Sequence, residues 1–374
     1  MKKATALTVT VLAIATLAGT SVAQSAYSTA QAPTSSVTQA EPSWENPKLV
    51  HTLPTAASHA KFSSNGLLLL CNGERGKAIQ LWDVRKGELL SSIKADDATY
   101  FGDVAISPDG QFVASIIYSQ IDKSIGVGLW NSQTGEALWK KPIVTNSAEF
   151  PSQRDFEEYF PFSPVSSLEF SPNGEFLASS AQKNSGSTNP QIQLLDVATG
   201  EKRFVFRSNI ETLRHLSFSP DSQVLASQGA YNYKGIIQLW NPNTGQLLHT
   251  LKDDLMPYSM VFSPDSQTLT SLSREMYEAH LRTWDVKTGG TLRTVPAAVD
   301  RTDNLLVLSP DAKTYLITGE VAGSRIWNNQ INKGWPLRGF DVSTGASTAL
   351  FSPNGQMLAV PTGAGIPIWQ ASGN

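Results

Sequence analysis

A chain of 374 residues with 40% hydrophobic and 16% charged side chains can fill a sizeable core, which excludes wholesale disorder. Its net charge of −3 and pI near 6.0 give no basic footprint, so nucleic acid is not an expected partner. A single cysteine, Cys71, excludes an intramolecular disulfide framework.

Taken from the start, Lys2-Lys3, an apolar stretch over residues 4–18 and Ser21-Val22-Ala23 have the layout of a cleaved export signal over 1–23. Removing it takes two lysines and moves the net charge from −3 to −5. No twin arginine precedes the apolar run and no cysteine lies near the cut, so twin-arginine export and lipoprotein anchoring are not expected. The short Lys-Lys leader reads as bacterial, with the periplasm or the outside medium as destination. Residues 24–43, rich in Ser, Thr, Gln, Ala and Pro, read as a flexible tether. No later segment is long and apolar enough to cross a membrane as a helix.

From residue 44 onward a two-part unit recurs seven times. Its first half is FSSNG (62–66), ISPDG (106–110), FSPNG (170–174), FSPDS (218–222), FSPDS (262–266), LSPDA (308–312) and FSPNG (351–355). Its second half is IQLWD (79–83), VGLWN (127–131), IQLLD (192–196), IQLWN (237–241), LRTWD (281–285), SRIWN (324–328) and IPIWQ (366–370). Between equivalent turn positions 64, 108, 172, 220, 264, 310 and 353 the steps are 44, 64, 48, 44, 46 and 43. A period in the forties with strand-like punctuation predicts propeller blades.

Each unit is expected to hold four short strands, a to d. Strand a enters a Ser-Pro-Asp-Gly turn, where proline presets φ, the acid or amide bonds nearby backbone and glycine takes a positive φ. Ser222, Ser266 and Ala312 replace that glycine, at about 1 kcal/mol or less each. Strand b follows at once, strand c carries the tryptophan, and a turn such as NPNTG (241–245) leads into strand d.

On these motifs, over residues 48–370, the chain resembles the WD40-repeat family. The resemblance implies an all-β fold, a seven-bladed β-propeller spanning 44–374. A six-bladed TolB-like propeller shares the SPDG turn but is not expected to pair it with LWD and TG at this offset. Leu49-Val50-His51-Thr52-Leu53 matches the strand d residues Leu247-Leu248-His249-Thr250-Leu251, while the chain ends just after the seventh strand c. The strand 48–53 should therefore complete the last blade and remove the open edges.

Departures from the family are as informative. The Gly-His pair before strand a is absent, its nearest relic being Gly339-Phe340, and the Asp before strand c is missing. The tryptophan survives in six units, with Leu195 the exception, and the strand b serine survives as Ser115, Ser179, Ser227 and Ser271. Cohesion should then rest on burial of the tryptophans, each removing roughly 200 Å² from water, about 5 kcal/mol as an upper figure. Cys71 falls at the strand b serine offset and reads as a small buried side chain rather than a nucleophile.

No HExxH, GxSxG, phosphate-binding loop, CxxC or calcium loop is present, so no catalytic residue, metal or cofactor is assigned. His51 and His249 hold equivalent strand d positions and read as features of the repeat. The pairs Asp96-Asp97 and Asp253-Asp254, between strand d and the next strand a, read as solvated loop acids rather than a cation site.

Tyrosine placement supplies the candidate site. Tyr100, Tyr159 and Tyr258 fall between strands d and a, and Tyr118, Tyr231, Tyr233 and Tyr277 in or beside b–c loops, so seven of nine tyrosines map to one face. Tyrosine brings a large rigid contact with one polar tip. With Met256, the residues Tyr100, Tyr118, Tyr231, Tyr233, Tyr258 and Tyr277 form the candidate partner-binding set, although packing of long loops accounts equally well for the pattern. Phe101 and Met276 lie in the same loops. The insertion at 140–165 carries Phe150, Phe156, Phe160 and Phe162, with QRDFEEYF as a candidate helical turn.

Two readings follow. What the family resemblance implies is a non-enzymatic, monomeric scaffold outside the cytoplasm, holding a protein or peptide without membrane insertion. The alternative is a propeller enzyme or small-ligand binder, lactonase-like or quinoprotein-like, with Asp103, Glu169, Arg214 and His215 as its starting residues. Three of these within metal-binding reach would favour the second reading, and a channel of Ser, Ala and aliphatics would end it.

Overall fold

The computed structural model describes residues 43–121, 124–144, 167–181, 191–232, 234–275, 278–299, 303–319, 324–337 and 348–372. They form seven four-stranded antiparallel sheets, the blades of a propeller. Blade 1 comprises Ala60–Phe62, Leu68–Asn72, Ala78–Asp83 and Glu88–Lys94 as strands a to d. Blade 2 comprises Thr99–Ile106, Phe112–Ser119, Ser124–Asn131 and Ala137–Val144; blade 3, Ser167–Phe170, Phe176–Ala181, Gln191–Asp196 and Lys202–Phe206. Blade 4 comprises Thr212–Phe218, Leu225–Tyr231, Lys234–Trp240 and Leu247–Asp253; blade 5, Met256–Phe262, Thr268–Glu275, Glu278–Asp285 and Thr291–Pro296. Blade 6 comprises Asp303–Leu308, Thr314–Gly319, Arg325–Asn328 and Lys333–Pro336. Each strand a touches the strand a of the blade on either side, and the seventh touches the first.

Blade 7 is Leu350–Phe351, Met357–Ala359 and Ile366–Ser372, with Ser43–Leu53 as its fourth strand. The leading strand pairs antiparallel to strand c, Leu49 opposite Trp369 and Leu53 opposite Ile366. It starts at Ser43, five residues ahead of the expected 48. The reason is Trp44, which is buried between blades 6 and 7 and stands edge-on to Phe351 at 5.4 Å.

The turns between strands a and b repeat one bonding scheme. Ser63, Ser107, Ser171, Ser219, Ser263, Ser309 and Ser352 each donate their hydroxyl to the Oδ1 of the Asn or Asp two residues on. Glycine holds the positive φ in four of them, and Ser222, Ser266 and Ala312 hold φ of 61, 62 and 56° in the others. Ser222 Oγ accepts the backbone N–H of Asn173 at 3.0 Å, and Ser266 Oγ that of Asp221 at 3.1 Å. The serines thus tie the turns of blades 3, 4 and 5 together, offsetting a strained backbone with a bond between blades.

The seven apolar clusters lie one at each junction between neighbouring blades. Trp82, Trp130, Trp240, Trp284 and Trp369 fill the junction with the preceding blade, and Leu195 does so in blade 3. Trp240 and Trp284 donate Nε1 to Ser227 and Ser271 at 2.9 and 3.1 Å. Where one partner is changed the other is orphaned. Ser179, in the blade whose tryptophan position is Leu195, and the indole of Trp327, in the blade whose serine position is Ile317, have no bond among the described residues. In blade 1 Cys71 fills the serine place, is fully buried, and leaves Trp82 Nε1 only a weak contact with sulfur. Burial pushes that thiol up to about 12, so it is no nucleophile.

Strand d provides an outer lock. His51 Nε2 and His249 Nε2 bond the carbonyls of Arg85 and Lys287 in the next blade at 2.7 and 2.9 Å, and Trp139 Nε1 donates to Val197 O at 2.9 Å. Their rings lie against Gly87, Gly289 and Gly200, turn glycines with positive φ where a Cβ would meet the ring. The two histidines serve the repeat, as their equivalent positions suggest.

Candidate functional site

Antiparallel blades put the a–b and c–d turns at one end of the central channel and the b–c and d–a connections at the other. Strand a also carries β-bulges, at Phe101/Val104, Leu213/His215, Pro257/Ser259 and Asp303/Leu305. A bulge inserts a residue without a ladder partner and re-aims its side chain. Here the inserted residues include Asp103, Arg214 and Tyr258, so the bulges add to the channel side chains that the repeat does not supply.

Arg214 and Tyr258 meet, the guanidinium 5.2 Å from the ring centre. Tyr231, at the end of strand b of blade 4 and opposite Lys234, is 49% exposed. Met256 and Tyr258 are half-buried, and Tyr258 packs on the junction of blades 5 and 6. Tyr100 is half-buried beneath Lys77, whose Nζ lies 3.4 Å from the ring centre and bonds the carbonyls of Asp97 and Thr99. Tyr118 pairs with Tyr100 across the sheet and is 4% exposed between blades 2 and 3, so it offers almost no surface to a partner. Tyr233, Tyr277, Met276, the aromatics of residues 145–166, Gly339-Phe340 and the leader and tether over 1–42 lie outside the described residues.

Deeper in the channel is a polar wall. Asp103 Oδ1 lies 3.5 Å from His59 Nδ1, and its Oδ2 accepts the N–H of Leu168 at 2.9 Å. Burial raises the Asp103 pKa, but the bond and charge of His59, the charge of Lys61 and the Leu168 N–H outweigh it and hold the carboxyl below its usual range. Lys61 Nζ bonds Glu169 Oε2 at 2.8 Å. Burial would lower the Lys61 pKa; Glu169 and then Asp103 more than offset it, keeping the ammonium above the ordinary lysine value. His215 is pushed down to about 4 by burial and by the Lys61 charge, against a smaller pull from Asp103, so it is neutral at pH 7. At the turn end the channel widens into a cavity of about 360 Å³ with Lys61 and Glu169 in its wall.

These groups pair among themselves, and among the described residues no three His, Cys, Asp or Glu side chains converge as a metal site. The channel is therefore neither the metal-ligating cluster nor the neutral Ser/Ala/aliphatic tube that would have separated the two functional readings. Sequence reasoning missed His59 and Lys61. Their signal was an ionisable residue at the strand a positions that hold Asp103, His215 and Glu169 in blades 2, 4 and 3.

The acid pair Asp253-Asp254 splits. Asp254 is exposed, whereas Asp253 is buried and accepts bonds from Ser273 Oγ at 2.9 Å and Leu255 N at 3.2 Å, with His280 Nε2 at 2.8 Å and Arg282 Nη1 at 3.2 Å. Asp253 ends strand d of blade 4, and Ser273 and His280 are cross-strand partners in blade 5. The carboxylate thus bolts two blades together. Because the serine bonds the aspartate and not the histidine, this is no nucleophilic triad. The reading of Asp253 as a solvated loop acid is corrected: the missing aspartate of blade 5 is supplied by its neighbour.

Within the chain, residues 156–187 match the family model for the WD domain, G-beta repeat. That segment takes in strands a and b of blade 3. No curated protein matches the chain. Seven four-stranded blades make the fold a seven-bladed β-propeller, and one stretch within it resembles a WD40 repeat. Propellers of this type are commonly protein-interaction scaffolds and typically non-enzymatic.

Proposed function

We propose that the protein is a non-enzymatic scaffold outside the cytoplasm, exported by a cleaved leader over 1–23 and tethered by residues 24–43. It works as a monomer without a cofactor, and holds a protein or peptide on the face of the b–c and d–a connections. The observation that carries this reading is the Arg214–Tyr258 stack raised by strand a bulges, with exposed Tyr231 on the neighbouring hairpin. Tyrosine and arginine dominate recognition hot spots because they desolvate large area and keep a polar handle. Met256 adds an adaptable apolar contact, and Tyr233 and Tyr277 belong to the same set by their loop positions.

The test is capture of partners from the cell-envelope fraction with the wild type and a Tyr231→Ser, Tyr233→Ser, Tyr258→Ser variant of unchanged melting temperature. Loss of a specific partner from the variant supports the reading; identical recovery of every partner rejects the face. Sequencing the N-terminus of the mature protein checks export, with a start at Gln24 or a few residues later expected. A second reading, a small ligand in the channel, is favoured by the polar wall and the cavity at the turn end.

A further inference from the structure

The propeller repeats its inner strand seven times, so a position that breaks the repeat is informative. The penultimate residue of strand a is Ala105, Ser217, Val261, Val307 and Leu350 in blades 2, 4, 5, 6 and 7, but Lys61 in blade 1 and Glu169 in blade 3. The a–b turn has proline at its second position in six blades, Pro108, Pro172 and Pro353 among them, but exposed Ser64 in blade 1. These three departures line one cavity, the widening of about 360 Å³ at the turn end of the channel. Three independent exceptions meeting in one place are not needed by the blades, since five of the seven fold with uncharged residues there.

Stability does not account for the ion pair either. A partly buried pair often contributes no more than well-packed apolar residues in the same place, so the fold does not require it. Both members keep access to the cavity, with 24% of the Lys61 side chain and 31% of the Glu169 side chain exposed. Glu169 Oε1 has no partner among the described residues, and only one of the three Lys61 donors is engaged there. The remaining wall is apolar, including Phe62, Ile106 and Phe170.

The partner's chemistry follows from the pairing. An anion alone would meet Glu169 beside Lys61, and a cation alone would meet Lys61 beside Glu169. A ligand that carries both signs a few atoms apart satisfies both, and an apolar side chain on it covers the phenylalanines. We propose that this cavity binds a free amino acid with an apolar side chain, its carboxylate on Lys61 and its ammonium on Glu169, with Ser64 at the rim. The site lies at the end of the channel opposite the tyrosine face and is independent of it.

The probe is L-phenylalanine, titrated calorimetrically into the full chain beside N-acetyl-L-phenylalanine and L-phenylalaninamide, which lack the ammonium and the carboxylate charge in turn. Binding of the free amino acid is expected, weakened roughly tenfold to a hundredfold by either block. The double variant Lys61→Leu, Glu169→Val installs residues that blades 7 and 6 already use, and should fold but lose binding. Ser64→Pro installs the residue of the other six turns, keeps the ion pair and should weaken binding. Tyr231→Ser should leave binding unchanged. No heat with L-phenylalanine or L-leucine, equal binding of a blocked analogue, or undiminished binding by the folded double variant would overturn the proposal. Should the double variant not fold, the analogue series and Ser64→Pro decide.

Discussion

Ser222 and Ser266 occupy backbone angles that glycine reaches more easily, yet each hydroxyl holds the N–H of a neighbouring turn. Ala312 has the same φ and no side chain with which to repay it. Glycine should therefore act in opposite directions at these sites. Ala312→Gly is expected to stabilise by up to about 1 kcal/mol, whereas Ser222→Gly and Ser266→Gly, losing a bond worth about 1 kcal/mol, should be neutral or destabilising. Denaturant midpoints of the three variants check this, and equal gains at all three would contradict it. His215 supplies a pH test. Its folded pKa of about 4 lies below the value of about 6.5 in an unfolded chain. Between those values the unfolded state binds more protons, so stability is full above about pH 6.5 and falls as pH drops towards 4. His215→Gln should flatten that part of the stability profile, while leaving any loss below pH 4 from Asp103 and Asp253 in place. A profile between pH 6.5 and 4 that is unchanged in the variant would mean that the imidazole is solvated and titrates normally.

At the scale of strands and turns, what could be read in advance was whatever repeats. Seven Ser-x-Asn/Asp turns, the strand c tryptophans and the His51/His249 equivalence predict the blades and the closing strand, since each unit uses the same local bonds. Trp44 was not legible, because its pocket is built by blades 6 and 7, far away in sequence. The bulges that raise Arg214 and Tyr258 were hidden for a similar reason: an extra residue in strand a leaves no mark on composition or spacing. The place of Tyr118 in a blade junction depends on which face of strand b meets blade 3, which alternation alone does not label. Asp253 is the sharpest case, since an Asp-Asp pair in a connection has the composition of a solvated loop. Its role gives a contrast between adjacent residues. Burial raises the Asp253 pKa, but the bond and charge of His280, then Ser273 and the Leu255 N–H, hold it below the usual aspartate value. This contribution is full above about pH 4 and is lost as pH falls through the folded value. Asp253→Ala leaves His280 and Arg282 facing an empty junction and should cost about 3 to 5 kcal/mol. Asp254→Ala, at an exposed position, should stay within about 0.5 kcal/mol. Similar denaturation midpoints for the two variants would show that the bolt between blades 4 and 5 carries little.

For the whole molecule, the decisive fact is that among the described residues every apolar cluster lies between blades and none belongs to one blade alone. A blade released from its neighbours loses both faces of its burial and keeps only its ladder bonds. Linear repeat arrays fray from their ends because the terminal units have one neighbour each. Here the leading strand removes the ends: Leu53 is fully buried, Trp44 nearly so, and both sit in clusters that join blade 7 to its two neighbours. Closure should therefore convert seven weak units into one cooperative body. The intact chain is expected to unfold in a single denaturant transition, with tryptophan fluorescence and far-ultraviolet dichroism superimposed. Trp369→Ala and Trp284→Ala, at distant junctions, should each move that one transition by about 3 to 5 kcal/mol without splitting it. Deleting residues 43–53 should do what neither substitution does. It strips strand d from blade 7, exposes the edge of Ile366–Ser372 and frees the junctions on both sides of that blade. The deletion variant should then either unfold in separate steps beginning at blades 6, 7 and 1, or pair its open edge with another copy and run as an oligomer in size-exclusion chromatography. A monomeric deletion variant with the wild-type midpoint and a single transition would mean that the ring is held by its inner strands alone.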